Sequence, residues 1–147
     1  MKPVTFRPIG VVESPFASPE DVPRPGDNQV EASGTIVLEE HYEPGLDGLE
    51  EFSHVTAITH LHRVDGKRLQ VRPVGRGDPV GIFATSGPPR PNPIGQSVLA
   101  LESIDGTRLS VSNLDLVDGT PVLDLKPYAP KGPPIDDLEI GWMADLG

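Results

Sequence analysis

Residues 97–113 read Ser97-Val-Leu-Ala-Leu-Glu-Ser-Ile-Asp-Gly-Thr-Arg-Leu-Ser-Val-Ser-Asn113, and this stretch decides the fold class. Two apolar runs, Ser97–Ile104 and Thr107–Asn113, flank Asp105-Gly106. Asp-Gly between apolar runs is a strong hairpin signal, because glycine accepts the positive φ of the tight turns that match strand twist. The segment Val64-Asp-Gly-Lys-Arg-Leu-Gln-Val71 has the same form, and a second hairpin is expected there. Nothing else recurs at that spacing, so the two do not mark a duplicated domain.

Outward from this hairpin, strand signals recur and helix signals are few. Phe6–Glu13, Gly34–Glu39, Ser53–Arg63, Arg68–Arg72, Val80–Ala84 and Val122–Leu125 each read as strands, with Ser53–Arg63 the most apolar and central. Pro44–Phe52 fits one short helical turn with Leu46, Leu49 and Phe52 on one side, and Pro15–Asn28 fits a long loop. Many short strands joined by tight turns imply an all-β domain, a barrel or a sandwich. Residues 1–130 carry this pattern. Residues 131–147 form an acidic, proline-containing tail that ends near Ile140-Gly-Trp-Met143, where Trp142 either packs on the domain, packs on another subunit, or frays.

The 147 residues fit one domain, with 18 prolines and 16 glycines interleaved among Val, Ile and Leu runs. There is no cysteine, which excludes disulfides, thiolate metal sites and cysteine nucleophiles. No apolar stretch approaches the length of a membrane span, and the start lacks the apolar core of a signal peptide. A cytoplasmic protein without membrane contact is therefore expected. The formal net charge of −10 argues against non-specific nucleic-acid binding, which rests on Lys and Arg meeting phosphates. A local basic patch can still act within an acidic protein.

Four groups of residues carry chemistry. Pro88-Pro-Arg-Pro-Asn-Pro-Ile-Gly95 is stiff, because proline fixes φ and pushes its preceding residue toward extended geometry. Such a loop can hold out Arg90 and Asn92 to a small ligand, though proline runs also serve as spacers. His54, His60 and His62 share one face by the two-residue period of a strand. No acidic cluster joins them, so no metal is expected, and His62-Arg63 at the strand end is the pair placed to meet a ligand. Asp115, Asp118 and Asp124 punctuate the apolar run Leu114–Tyr128. Each suits a turn, and Asp118-Gly-Thr-Pro121 is a turn by composition. Asp124 and Lys126 can share a face and pair with each other. There is no P-loop, dinucleotide fingerprint, Gly-x-Ser-x-Gly element or metalloprotease helix. That favours a reaction whose hard step belongs to a bound cofactor, or a binding module.

The ordered blocks Pro8-Ile-Gly-Val-Val-Glu-Ser-Pro-Phe16, Val22-Pro-Arg-Pro25, Gly45-Leu-Asp-Gly-Leu-Glu-Glu-Phe-Ser-His54, Leu61-His-Arg63, Val71-Arg-Pro73, Gly81-Ile-Phe-Ala-Thr85, Arg90-Pro-Asn-Pro-Ile-Gly95, Leu114-Asp-Leu-Val-Asp-Gly-Thr-Pro-Val122 and Lys126-Pro-Tyr128 resemble the TsaA-like (TrmO) family of S-adenosylmethionine-dependent tRNA methyltransferases. The resemblance implies a small single-domain β-barrel of short antiparallel strands with long loops and little helix. It implies S-adenosyl-L-methionine as cofactor and a homodimer with the cofactor near the subunit interface. It implies tRNA as substrate, methylated at N6 of threonylcarbamoyladenosine in the anticodon loop. Cofactor contacts carry over to Pro23, Arg24, Pro25, His62, Arg63 and the turn Asp115, Leu116, Val117, Asp118, Gly119 and Thr120. Ser86 and Gln96 occupy two further cofactor-region positions, where the family usually carries an arginine and a bulky apolar residue. Arg90, Asn92, Lys126 and Tyr128 are expected to contact substrate. Asp118 and His62 are the candidates to take the N6 proton. Alternative readings are a methyltransferase of this fold with another substrate, and a non-catalytic module that binds S-adenosylmethionine or a nucleotide.

Overall fold

The computed structural model describes residues 1–23, 32–73 and 75–146. Arg24 and Pro25, and the end of the expected Pro15–Asn28 loop, lie outside the described residues. Among the described residues there are eight strands: β1 (Gly10–Glu13), β2 (Gly34–Leu38), β3 (His54–His60), β4 (Gln70–Val71), β5 (Val80–Gly81), β6 (Ile94–Asp105), β7 (Arg108–Ser112) and β8 (Pro121–Pro127). Six of them close an antiparallel barrel in the order β1-β2-β7-β6-β3-β8, while β4 and β5 pair outside it. The expected barrel is therefore observed, and among the described residues helix is confined to short 3-10 segments.

Alternation along each strand builds the core. Val55, Ala57 and Thr59 of β3 are fully buried, while His54, Thr56, Ile58 and His60 point outward. Across the ladder, Ser97 and Leu99 of β6 face inward opposite Ala57 and Val55. Val12, Ile36, Leu109, Val111 and Val122 complete the barrel interior, and Leu46, Leu114 and Leu116 pack against it from the connecting segments. Burying each such side chain contributes roughly 1.5–3 kcal/mol, which drives closure.

The Asp105-Gly106 hairpin is observed, with Asp105 opposite Arg108 and Gly106 at φ 60°. Glycine is required at that first central turn position. The second hairpin is not. The turn falls at His62-Arg63, where Val64 N–H donates to Leu61 O (3.4 Å), Asp65-Gly66 lies in irregular chain, and β4 pairs with β5, as Gln70 meets Gly81 and Val71 meets Val80. The backbone around that turn is claimed by the proline-rich loop instead: Leu61 N–H donates to the Pro93 carbonyl (2.8 Å) and Arg68 N–H to the Pro89 carbonyl (3.0 Å).

Prolines also move the strand boundaries. The first strand begins at Gly10 rather than Phe6, because Pro8 has no donor for the ladder. The sixth begins at Ile94, immediately after the last proline of its loop, and the eighth is bounded by Pro121 and Pro127. The expected Val80–Ala84 strand stops at Gly81, and Ile82–Ala84 forms a 3-10 turn that buries Ile82 completely. Pro44–Phe52 is covered by two 3-10 segments, Glu40–Leu46 and Leu49–Glu51. Trp142 returns to the domain, its Nε1–H donating to the Ala84 carbonyl at 2.8 Å. No helix among the described residues is long and apolar enough to cross a membrane.

Candidate functional site

Three segments remote in sequence meet at one end of the barrel. β3 ends at His60 and delivers Leu61–Val64; the proline-rich loop delivers Pro88; the connection from β7 to β8 delivers Asp115–Val117 and Thr120. With Pro19 and Val22 they line a cleft of about 140 Å³. His62, Arg63, Asp115, Leu116, Val117 and Thr120 are thus brought together. Pro23 follows directly on the Pro19–Val22 wall and is half-buried.

The 115–120 turn is held by its own backbone. Thr120 Oγ1 donates to the Val117 carbonyl (2.6 Å), Asp118 N–H to Phe16 O (2.8 Å) and Gly119 N–H to Val12 O (2.8 Å). Asp118 Oδ1 accepts the Ser14 N–H at 2.9 Å and lies outside the cleft lining. That carboxylate fastens the turn to the end of β1. Gly119 backs onto the imidazole, since a methyl group built there would come within 3.9 Å of His62 Nε2.

Burial lowers the His62 pKa, and the positive potential of His60 and Arg63 lowers it further, against the opposing pull of a hydrogen bond to the His60 backbone. The ring is therefore neutral at pH 7. Arg63 Nη1 donates to the Ala17 carbonyl and so clamps the 14–22 segment that forms one wall. Asp21 Oδ2 accepts both the Ser18 N–H (3.2 Å) and the Ser18 hydroxyl (3.1 Å), which fixes the same wall.

One residue of the site went unnoticed in the sequence. Ser97 is 6% exposed at an inward position of β6, and its Oγ donates to Asp115 Oδ1 at 2.7 Å. Its signal was a hydroxyl at the same strand parity as Leu99. Gly95, two residues earlier, has a steric reason: a Cβ there would stand 2.6 Å from Thr59 Oγ1 and 2.8 Å from Leu61 Cδ2. The close approach of β6 to Thr59 and Leu61 depends on the absence of that side chain.

Other expected site residues lie elsewhere. Arg90 is not held out. Its Nη1 folds back onto the carbonyls of Ile82 (3.2 Å), Thr85 (2.7 Å) and Gly87 (3.2 Å). Stiffness of the loop directs the guanidinium inward, where unpaired carbonyls outcompete solvent for it. Asn92 is exposed, and its main-chain carbonyl accepts the Ile94 N–H at 2.7 Å. Ser86 is exposed two residues before Pro88, and Gln96 is exposed on the outward face of β6 opposite Ile58. Lys126 and Tyr128 are at the far end of the barrel: Lys126 pairs with Asp124 at 2.7 Å, and Tyr128 lies edge-on to His54. His54 and His60 do face the same way, but they occupy opposite ends of β3, and His62 is past its end.

A larger cleft, about 540 Å³, opens at that far end between Tyr42–Phe52 and Asp124–Pro127. Its lining holds carboxylates and apolar side chains but no histidine, lysine or arginine, so the smaller cleft is the better candidate for chemistry.

Residues 11–132 match the tRNA-methyltransferase O N-terminal domain family. The chain belongs to this family. It is 41% identical over 140 residues to a probable S-adenosyl-L-methionine-binding protein of Pyrococcus abyssi, covering 95% of this chain and 76% of that one. It is 38% identical to the tRNA (adenine(37)-N6)-methyltransferase of Escherichia coli K12, covering 97% of this chain and 65% of the relative. Among solved structures, a TrmO crystal structure superposes with a TM-score of 0.75 at 38% identity, over 95% of this chain and 64% of the other. TrmO from Pseudomonas aeruginosa gives 0.75 at 36%, over 95% and 62%. The chain thus spans somewhat under two thirds of the length of these TrmO chains and of the Escherichia coli enzyme. In this tRNA-methyltransferase O family member the matched residues take in the barrel strands from Val11 to Pro127 and the 62–63/115–120 cleft.

Proposed function

We propose that this chain binds S-adenosyl-L-methionine in the small cleft and transfers its methyl group to N6 of threonylcarbamoyladenosine in a tRNA anticodon loop. The observation that carries the reading is the convergence of Leu61–Val64, Pro88 and Asp115–Thr120 at one barrel end, in a member of the tRNA-methyltransferase O N-terminal domain family. The names of relatives that bind S-adenosylmethionine or methylate tRNA adenine 37 point the same way.

The lining suits the cofactor in kind. Leu61, Val64, Leu116, Val117 and Pro88 offer apolar walls to a purine ring, while Asp115 offers a carboxylate to hydroxyl or ammonium groups. A neutral His62 adds no cation beside a sulfonium. In size, about 140 Å³ falls short of the roughly 300–1,000 Å³ of a site that encloses a whole small molecule. A second subunit in a homodimer supplies the missing wall. Ile94 and Val98, exposed at 47% and 41% on either side of Gln96, give an outward face of β6 suited to such a contact.

Bound S-adenosylmethionine supplies a methyl group activated on a sulfonium and leaves as a neutral thioether. The protein's part is orientation and proton handling. His62 takes the N6 proton, because it is neutral and lines the cleft. Asp118, whose Oδ1 is engaged by Ser14, holds the turn. Asp115 orients the cofactor, with its own carboxylate held by Ser97. Ser86 and Gln96, outside the cleft of their own chain, join the cofactor surroundings only across the proposed subunit contact, Lys126 and Tyr128 reach substrate only from a partner subunit, and the protein acts in the cytoplasm where tRNA is modified.

The test is mass spectrometry of nucleosides from threonylcarbamoylated tRNA incubated with the protein and S-adenosylmethionine. Methylated threonylcarbamoyladenosine is expected, and a deletion strain should lack it. Tight cofactor binding with no methylated nucleoside in either experiment would overturn the substrate assignment and leave a binding module or a different acceptor.

A further inference from the structure

The charge of this molecule is unevenly distributed. Residues 61–93, inserted between β3 and β6, carry Arg63, Lys67, Arg68, Arg72, Arg76 and Arg90, which is half of the chain's 12 Lys and Arg. They carry only Asp65 and Asp78 of its 22 Asp and Glu. The insertion has a formal charge of +4, and the other 114 residues have −14. Lys67, Arg68, Arg72 and Arg76 are all exposed, on the segment around the β4–β5 pair.

The same insertion presents apolar surface to solvent. Phe83 is 76% exposed and Leu69 is 70% exposed. Phe83 is held firmly for so exposed a side chain. Ile82 before it is fully buried, the Arg90 guanidinium bridges the carbonyls of Ile82, Thr85 and Gly87, and Trp142 bonds the Ala84 carbonyl behind it. The Arg90 Cζ lies 5.9 Å from the ring centroid. A rigid exposed ring beside a cluster of cations is what an unpaired base and its phosphates require: stacking on the ring, and counterion release at the lysines and arginines. The insertion begins and ends at the cleft, since Leu61–Val64 and Pro88 line it.

Building on the tRNA methyltransferase reading, we propose that the β4–β5 insertion is the RNA-contacting face, with Lys67, Arg68, Arg72 and Arg76 meeting backbone phosphates and Phe83 stacking on an unpaired base next to the cleft. Single-stranded loop nucleotides offer free base faces that a duplex does not. An otherwise acidic surface then orients the RNA, because phosphates are repelled everywhere else.

The experiment uses a fluorescently labelled anticodon stem-loop carrying threonylcarbamoyladenosine, titrated with the full-length protein over a salt series. Calorimetry with S-adenosylmethionine and sedimentation are run on the same preparations. Lys67→Glu/Arg68→Glu and Arg72→Glu/Arg76→Glu should each weaken RNA binding at least about tenfold and flatten the salt dependence by roughly 1–2 units of slope. Phe83→Ala should weaken it roughly 5- to 100-fold with the salt slope unchanged. Cofactor affinity and sedimentation should match wild type in all three. Unchanged RNA affinity in all three variants, from a wild type that binds and methylates tRNA, would overturn this proposal alone. Loss of RNA binding only together with dimer or cofactor binding would also overturn it, placing the insertion in a subunit contact or in the cofactor site. A wild type that neither binds nor methylates the stem-loop would overturn the functional reading itself.

Discussion

At the scale of single residues, the polar atoms of the cleft are arranged by neighbours that do not themselves reach it. Ser97 spends its hydroxyl proton on Asp115 from inside the barrel, at 2.7 Å. Ser97→Ala should therefore raise the S-adenosylmethionine Kd about tenfold while costing about 1 kcal/mol of stability or less, because solvent can re-pair the exposed carboxylate. In an Asp115→Ala background the same change should leave Kd unmoved; calorimetry on the four proteins checks the coupling. His62 has a folded-state pKa below the ordinary value of about 6.5, first through burial and then through His60 and Arg63. The unfolded chain binds this proton more readily, so the ring's contribution to stability is present above pH about 6.5 and is lost as pH falls from there through the lowered pKa. Proton NMR should show the His62 ring titrating below pH 6.5, with a higher midpoint in His60→Ala. The acidic limb of the methylation rate should follow the same midpoint.

At the scale of elements, prolines and their carbonyls explain most of what the sequence pattern misjudged. Alternation located all six barrel strands, because inward and outward positions differ so plainly in β3 and β6. It overextended the first strand past Pro8 and missed that Ile82–Ala84 leaves the sheet. The Arg90 loop is the sharpest case. Its stiffness was legible, but the direction of its guanidinium depended on three carbonyls contributed by the preceding turn. Arg90→Gln should cost about 1.5–3 kcal/mol, the worth of hydrogen bonds to a charged group in a half-buried setting. Hydrogen exchange at the Thr85 and Gly87 amides should accelerate while barrel amides stay protected. Equal protection in the variant would mean the loop is held by its prolines alone.

At the scale of the whole molecule, one barrel end gathers the His62–Arg63 and Asp115–Thr120 turns, and the insertion beside it collects the positive charge. A cleft of about 140 Å³ in one chain is the ground for the proposed homodimer, and that proposal ties cofactor binding to association. S-adenosylmethionine affinity should fall on dilution through the dimer dissociation constant, and Val98→Glu on the outward face of β6 should lower both together; calorimetry and sedimentation across protein concentrations check this. Sequence by itself determined the strand pattern, the Asp105-Gly106 hairpin, the Asp118–Pro121 turn and the resemblance to a family, because these rest on local periodicity, glycine geometry and ordered blocks. Only the tertiary structure decided that His62 and Asp115 share a cleft, that Ser97 serves Asp115, and that Arg90 turns inward while Lys126 lies at the far end. Those facts depend on which strands become neighbours on closure, and on which unpaired carbonyls and carboxylates a side chain then meets.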